Sequence, residues 1–504
     1  NNNRAVYRSK LLLDKDEAAR GSSLARIYDN LGFEKRAIME TAKSLSHDPG
    51  NHSAHRFLAD AYVNIPRHEI ARVSELLQAQ LLQPINVNPV QPRLAVADLN
   101  IITGTGPAAL GFNEFAPLTE RNKPQVVASG LYGSNSTLGN EVVASAVYDK
   151  ASISVGQFHY DTKGFRQNND QNHNVYNAFM QYALTPKLNV QTELRHRDTE
   201  HGNLFLDFDR DSPDPNVAKD PLSTNNRYRR NINEDIARFG ARYAISPKQD
   251  FIVSGIYAHR KDNLQDFAKL GIDFFEGSHD QNYQGEFQYL LRENNYNIVA
   301  GGGIYQIDVN RKQLIRQLQN SDERCDMSGS NVICDINFSR KKINGYLYSN
   351  INLRSNLNAT VGFSYDAYDD RALIIDRFNP KLGLQWDMLS NLRLRMAWFE
   401  TTKSALVANQ TLEPTQVAGF NQLFDDLNGT KARRMGIAFD THIANTIFGG
   451  FELSRRDLKV PFQNIFVNQR QYEIAFEEHQ KENLYRTYLY WPINRDLCTA
   501  KNKQ

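Results

Sequence analysis

The chain has 504 residues, 40% apolar and 23% charged, with a formal net charge of +2, so it lacks the basic excess expected of a nucleic-acid-binding protein. Mean hydropathy is −0.57 and there is no apolar run of ~18 residues; a transmembrane helix is thereby excluded, but not a membrane β-barrel, whose strands give lipid only alternate residues. The 23 Tyr and 27 Phe against 3 Trp suit rings placed at membrane interfaces and in cross-strand pairs.

Residues 1–85 are predicted to be helical. Leu11, Leu12, Leu13, Ala18 and Ala19 come early, and no proline occurs before Pro49. The opening carries neither Met nor a basic-then-apolar leader, and is read as lying inside a longer protein. Leu24-Ala25-Arg26-Ile27-Tyr28 recurs as Leu58-Ala59-Asp60-Ala61-Tyr62, and Ala37 recurs as Ala71, each 34 positions on. Small Ala25, Ala37, Ala59 and Ala71 allow two helices to approach closely, with Leu24, Leu58, Tyr28 and Tyr62 filling the grooves. Gly32 and Pro49 sit at the turn and stop positions. This segment resembles tetratricopeptide repeats, which implies a concave surface for a partner protein rather than catalysis. His47, His52 and His55 cluster near one turn without a carboxylate or cysteine that completes a metal set, so no metal or other cofactor is expected.

Residues 86–124 read as a Pro/Gly linker, with Pro89, Pro92, Pro107, Pro117 and Pro124 around Gly104, Gly106 and Gly111. Gly104-Thr105-Gly106-Pro107 lacks the Lys-Ser/Thr of a phosphate-binding loop and is taken as a turn.

From 125 to 492 the period is two. In Asn391–Glu400, Leu392, Leu394, Met396 and Trp398 share one face while Arg393 and Arg395 share the other; with Lys381–Trp386 and the turn between them this is a hairpin. Leu188, Val190 and Leu194 likewise oppose Glu193 and Arg195, and Tyr283, Phe287 and Tyr289 oppose Glu286, with Arg292 on the same face. Arginine and glutamate at alternate positions fit a water-filled lumen, where they need no buried partner. Short turns at 149–150, 185–187, 246–248, 293–295, 355–356, 388–390, 444–445 and 481–482 alternate with longer polar segments. A transmembrane barrel requires this, because all turns of one class share one end. The count is about seventeen strands, and an odd number does not close a bacterial barrel. The C-terminus, with 493–504 read as an irregular tail, is therefore expected to be truncated.

Phe378-Asn379-Pro380-Lys381-Leu382-Gly383-Leu384, the strand after it and Leu412-Glu413-Pro414 resemble the barrel of TonB-dependent outer-membrane receptors. Leu99-Asn100-Ile101-Ile102-Thr103 is similar to the end of their plug domain, and Asp161-Thr162-Lys163-Gly164-Phe165-Arg166 to one of their loops. The resemblance implies an outer-membrane barrel. The 86–124 interval is too short for the family's plug, and no TonB-binding box is visible, so a plugless barrel is expected.

Cys325 and Cys334 lie in one long loop, in a compartment where disulfides form, and are read as a loop staple. Asp207, Asp209 and Asp211 have the spacing of a calcium loop, but Ser212 and Ala218 replace the turn glycine and closing glutamate, so they are read as a solvated acidic loop. No serine elbow, zinc helix or catalytic carboxylate pair is present in the sequence, and no enzyme is expected.

The fold class is thus α+β and multidomain: tetratricopeptide-like hairpins in the periplasm followed by a large antiparallel transmembrane β-barrel in the outer-membrane lipid. The expected function is transport, by export or passive porin-like passage of a polymer or solute, with the repeats recruiting a periplasmic protein and the loops meeting an extracellular ligand or polymer. The alternative is a non-transporting assembly or adhesion module.

Overall fold

A computed structural model describes residues 24–85, apart from 26, 29, 30, 63 and 64, and residues 124–503, apart from 166–167, 205–227, 268–272, 317–324, 329–330, 371–372, 444–446, 465–473 and 495–496. The early leucine run, the linker with its plug-like Leu99–Thr103 stretch, and Asp207, Asp209 and Asp211 lie outside the described residues.

Period-two patterning becomes strands: β1 (Pro124–Gly133), β2 (Thr137–Tyr148), β3 (Ala151–Thr162), β4 (Gln171–Ala183), β5 (Leu188–His201), β6 (Arg229–Ser246), β7 (Gln249–Phe267), β8 (Asp273–Arg292), β9 (Tyr296–Arg316), β10 (Cys325–Ser328), β11 (Asn331–Arg354), β12 (Leu357–Asp370), β13 (Leu373–Leu389) and β14 (Leu392–Thr402). Two short strands, β15 (Gln416–Val417) and β16 (Phe420–Asn421), pair only with each other; β17 (Lys431–Ile443), β18 (Ile447–Asn464), β19 (Ile474–Asn494) and β20 (Leu497–Lys503) complete the set. All but β15 and β16 form one sheet of 18 strands. Apart from β10, a short extension on β11, each strand is antiparallel to the strand that follows it in the sheet. Two-residue connections such as Asp149-Lys150, with Asp149 at φ 47, keep the meander tight.

The two faces of this sheet are reversed relative to a soluble protein. On one face Leu194, Phe239, Ile304, Ile343, Val361, Phe378 and Met396 are exposed; on the other Glu193, Glu286, Asp366, Lys381 and Arg395 are buried. Facing pairs on the apolar side include Phe363 with Phe378 (5.2 Å between centroids) and Phe439 with Phe451 (5.1 Å). Apolar-out and polar-in alternation of this kind is what a strand wall between lipid and a lumen requires.

The repeat segment forms α1 (Glu34–His47), α2 (His52–Ala61) and α3 (Glu69–Leu82), with a short helical piece around Leu24–Tyr28 before them. Asn51 caps α2 by accepting from the N–H groups of Ser53 and Ala54. Leu58, Tyr62 and Ala71 pack in one cluster and Ala59 with Leu76 and Ala79 in another.

The helices contact the sheet directly. Their outer surfaces meet the polar face of the sheet on many strands: the Gln83 carbonyl accepts from Gln181 of β4 (3.0 Å), the Leu82 carbonyl from Arg242 of β6 (2.5 Å), the Ser46 carbonyl from Asn297 of β9 (2.7 Å), and the Lys35 N–H donates to Tyr490 of β19 (3.2 Å). The polar face of the sheet is packed on the helices, and the expectation that its charges stand in a water-filled lumen is corrected by these contacts. Glu193, Glu286, Asp366, Lys381 and Arg395 are accordingly buried and partnered rather than solvated.

Three further differences concern the chain's end and loops. Lys481-Glu482, expected to be a turn, lies inside β19; their partners Asp457 and Arg456 on β18 keep the ladder continuous through it. Leu497–Lys503, expected to be irregular, is a strand on β19. The 310–342 segment is largely strand, because β9 and β11 continue pairing as far as Arg316 and Asn331.

Candidate functional site: the closed lumen

The connection from β14 to β17 is the long polar segment 401–432, yet it holds Leu412, Val417, Phe420, Leu423 and Phe424. An outside loop has no use for so many apolar groups. The segment turns inward: Leu412, Val417 and Phe420 are buried in the same core as Leu77, Leu81 and Leu82 of α3 and Ile252, Val299, Tyr346 and Phe399 of the wall. Strand glycines make the room. A Cβ at Gly436 would meet the Phe420 ring at 2.4 Å, one at Gly383 would meet Ala418 at 2.7 Å, and one at Gly240 would meet Leu81 at 2.5 Å. Each gap accepts a specific side chain of the filling.

A row of inward side chains on β8 holds the start of this segment. Gln284 accepts from the Val407 N–H (3.0 Å) and donates to the Gln410 carbonyl (2.8 Å); Glu286 accepts from the Thr411 hydroxyl (2.7 Å) and the Leu412 N–H (3.0 Å); Gln288 donates to the Leu412 carbonyl (2.5 Å). Tyr305 also donates to Glu286, at 2.6 Å. Arg238 pairs with Glu193 and reaches both Gln80 of α3 and Gln410 of the segment. Wall, helix and segment thus share one polar network, in which every added partner offsets the cost of removing these groups from water.

The far end of the segment is fastened to the helices. Asp425 accepts from the N–H groups of Glu69 and Ile70 at the start of α3, at 3.0 and 3.1 Å. Arg67, just before α3, pairs with Asp426 (2.5 Å) and with Glu482 of β19 (2.7 Å), and Arg456 of β18 pairs with the same two carboxylates. Gln416 hydrogen-bonds to the Tyr62 hydroxyl, and Thr415 to Glu75.

His55 and Glu75 form a buried pair between α2 and α3. His55 Nδ1 lies 2.5 Å from Glu75 Oε2 and its Nε2 lies 2.9 Å from the Pro49 carbonyl oxygen. Both partners are acceptors, so protons on both ring nitrogens satisfy both. Burial acts to lower the basicity of this imidazole, but the Glu75 charge, with the bonds to Glu75 and Pro49, outweighs it and raises the pKa. His68 is opposite in sense: burial, the largest influence, takes it down to about 4.

Among the sequence-selected packing residues, Ala25, Ala37, Leu58, Ala59, Tyr62 and Ala71 are buried but Leu24 is exposed; the Tyr28 ring lies 5.3 Å from Phe448 of β18. Of the luminal set, Glu193 and Glu286 belong to the network above. Arg292 bridges Asp250 (2.5 Å) and Asp48 of the helical unit (3.7 Å); Arg393 pairs with Asp387 (2.5 Å), which Lys43 of α1 approaches at 3.6 Å; Arg395 pairs with Asp440 (2.8 Å). Arg195 faces inward, and its Nε has no hydrogen-bond partner. Cys334 is disulfide-bonded, and Cys325 is its register partner across β10 and β11. Sequence reading missed Asp425, Asp426 and Arg67, and placed Glu286 on the inward face of β8 without its partners in the 401–432 segment; the apolar residues inside that segment were the signal for an inward course. Among the described residues no group of three or more His, Cys, Asp or Glu is placed to hold a metal ion.

No protein-family model matches the chain, and no curated protein matches it in sequence. Solved structures do match in fold. A copper transporter aligns at a TM-score of 0.53 and 8% identity, over 74% of this chain and 59% of its own. The ferric preacinetobactin receptor of Acinetobacter baumannii aligns at 0.53 and 8%, over 76% of this chain and 61% of its own. The ferripyoverdine receptor of the outer membrane of Pseudomonas aeruginosa aligns at 0.52 and 10%, over 74% of this chain and 54% of its own. The fold is that of outer-membrane receptor and transporter barrels, as the barrel resemblance in the sequence implies, and these similar structures are transporters and receptors rather than enzymes. The chain spans less than two thirds of the length of each.

Proposed function

We propose that the protein acts in transport across the outer membrane as a gated barrel, the helical unit and the inward 403–430 segment together being the gate. The observation that carries this reading is the shared network on Glu286 and Arg238, which ties wall, helix and inward segment into one closure of the lumen. A passive porin needs no such filling, so free passage of a polymer or solute is the less favoured route; passage here requires that the filling move. The tetratricopeptide-like character of the helices is retained in this proposal as a way to close-pack two hairpins. Recruitment of a periplasmic partner falls to whatever part of the helical unit is exposed at the short-turn end, and binding of an extracellular ligand to the long-turn end. In this reading the apolar strand face lies in outer-membrane lipid.

Planar-bilayer conductance of the purified protein tests it. The expected result is a silent wild type and a conducting Glu286→Ala variant, in which the inward segment loses its anchor. A wild type that conducts steadily overturns the gate. Silence in both, with hydrogen exchange showing the 403–430 segment released in the variant, favours the non-transporting anchor instead.

A further inference from the structure

We propose that a cavity of about 400 Å³, bounded by α1, the 416–424 part of the inward segment and the wall from β14 to β19, binds a small organic anion through Lys35 and Arg486. The inference concerns binding alone and holds for a conducting or a silent barrel.

The cavity's charges are unevenly committed. Of the carboxylates lining it, Asp440 is used by Arg395 at 2.8 Å and by the Tyr488 hydroxyl at 2.9 Å, and Glu452 lies 3.2 Å from Arg434. Arg434 is further engaged by the Asn421 carbonyl (2.7 Å) and Ser454 (3.0 Å). The remaining carboxylate, Glu34, is exposed. Among the described residues, neither Lys35 nor Arg486 has a carboxylate within ion-pair distance, and the Arg486 Nε has no hydrogen-bond partner. Lys35 and Arg486 are thus the two lining cations without an ion pair, beside the paired Arg395 and Arg434; Glu452, opposite Arg486 in the β18–β19 register and shared with Arg434, offsets them only in part. Burial, and next the Arg486 charge, lower the Lys35 pKa and outweigh the opposing Glu452 and Glu34 charges; an anion placed between Lys35 and Arg486 reverses the second effect and exchanges repulsion for two charge-assisted hydrogen bonds.

The rest of the lining sets the ligand's body. Phe420 and Phe424 are held flat against Arg434, at 5.5 and 5.4 Å from its guanidinium carbon, and Ile38, Met39 and Leu484 complete an apolar side. An oxyanion carrying an apolar or aromatic body fits this division, with the charge on Lys35 and Arg486 and the body on the phenylalanines.

Calorimetric titration of the full chain in detergent with phenyl phosphate, and separately with inorganic phosphate, tests the site. Expected are saturable binding of phenyl phosphate, weaker binding of inorganic phosphate, and a loss of roughly tenfold or more in phenyl phosphate affinity for Arg486→Gln and for Lys35→Gln. Arg455→Gln, at an exposed cation that pairs with Asp457 outside the cavity, is expected to bind as the wild type does. Heat-modifiability on gels checks that each variant is folded; Lys35, half-buried in the first turn of α1, keeps the test open should Arg486→Gln fail to fold. Absence of phenyl phosphate binding to the wild type, equal affinity for the two probes, or affinity unmoved in a folded Lys35→Gln overturns the proposal.

Discussion

The carboxylate of Asp425 caps α3 by accepting a hydrogen bond from the Glu69 N–H at 3.0 Å, across a separation of 356 residues. The helix has no cap of its own, since His68 makes no side-chain cap bond. A loop side chain thus satisfies the helix end and sits at the positive end of its dipole. Asp425→Ala is expected to cost about 1 kcal/mol, the usual loss of an N-cap, and to raise hydrogen exchange at the first turn of α3 and in the 403–430 segment together. Faster exchange in the segment alone would show that the helix does not depend on it.

The glycine gaps give a second expectation. Gly436→Val puts a branched side chain where the Phe420 ring lies within 2.4 Å of a Cβ. Overpacking of this kind costs about 1–3 kcal/mol. Adding Phe420→Ala is expected to recover part of that loss, so the pair is non-additive in a double-mutant cycle of unfolding midpoints. Additive losses would place the strain elsewhere.

These two positions also show what the sequence displayed and what it hid. Strand patterning around Leu392–Trp398 was legible because period-two alternation is local, and the strict alternation of short and long connections carried the meander. The role of Gly436 was not legible, because its partner Phe420 reaches it only when the loop folds inward. The same holds for the lumen: Arg395 and Glu286 at alternate positions look alike in a wet channel and in a packed one. What distinguishes the two is the filling, and the Leu58, Tyr62 and Ala71 cluster reads as repeat packing whether the helices stand alone or sit inside a barrel.

Three histidines, His52, His55 and His68, predict a stability maximum for the helical unit near pH 6.5. The His52 and His68 pKa values are both depressed to about 4, first by burial, so the unfolded state binds the extra protons between about 6.5 and 4, and stability falls as pH falls through that window. The His55 pKa is raised, because Glu75 and Pro49 outweigh burial. Its contribution is fully present below about 6.5 and is lost as pH rises through its folded value. His68→Asn should remove part of the acid-side slope and His68→Asn with His52→Asn flatten it, while His55→Gln flattens the alkaline side, read as hydrogen exchange of α2 and α3 against pH. A profile that His68→Asn leaves unchanged on the acid side would assign that loss to other groups.

The paired arginines Arg67 and Arg456 separate exposure from charge. Both contact Asp426 and Glu482, but the Arg67 side chain is 47% exposed and the Arg456 side chain 7%. Water and salt screen the first, so Arg67→Ala is expected to cost less than about 1 kcal/mol and to lose its effect at high ionic strength. Arg456 lies 3.8 Å over the Phe424 ring as well. Its removal leaves Asp426 buried with only the exposed arginine to neutralise it, and Arg456→Ala is expected to cost about 3 kcal/mol or more with little salt dependence. Unfolding midpoints of both variants at low and high salt make the comparison. Equal costs would mean that the network stabilises by its total charge, leaving the apolar packing of Leu412 and Phe420 against α3 and the wall as the position-specific hold on the inward segment.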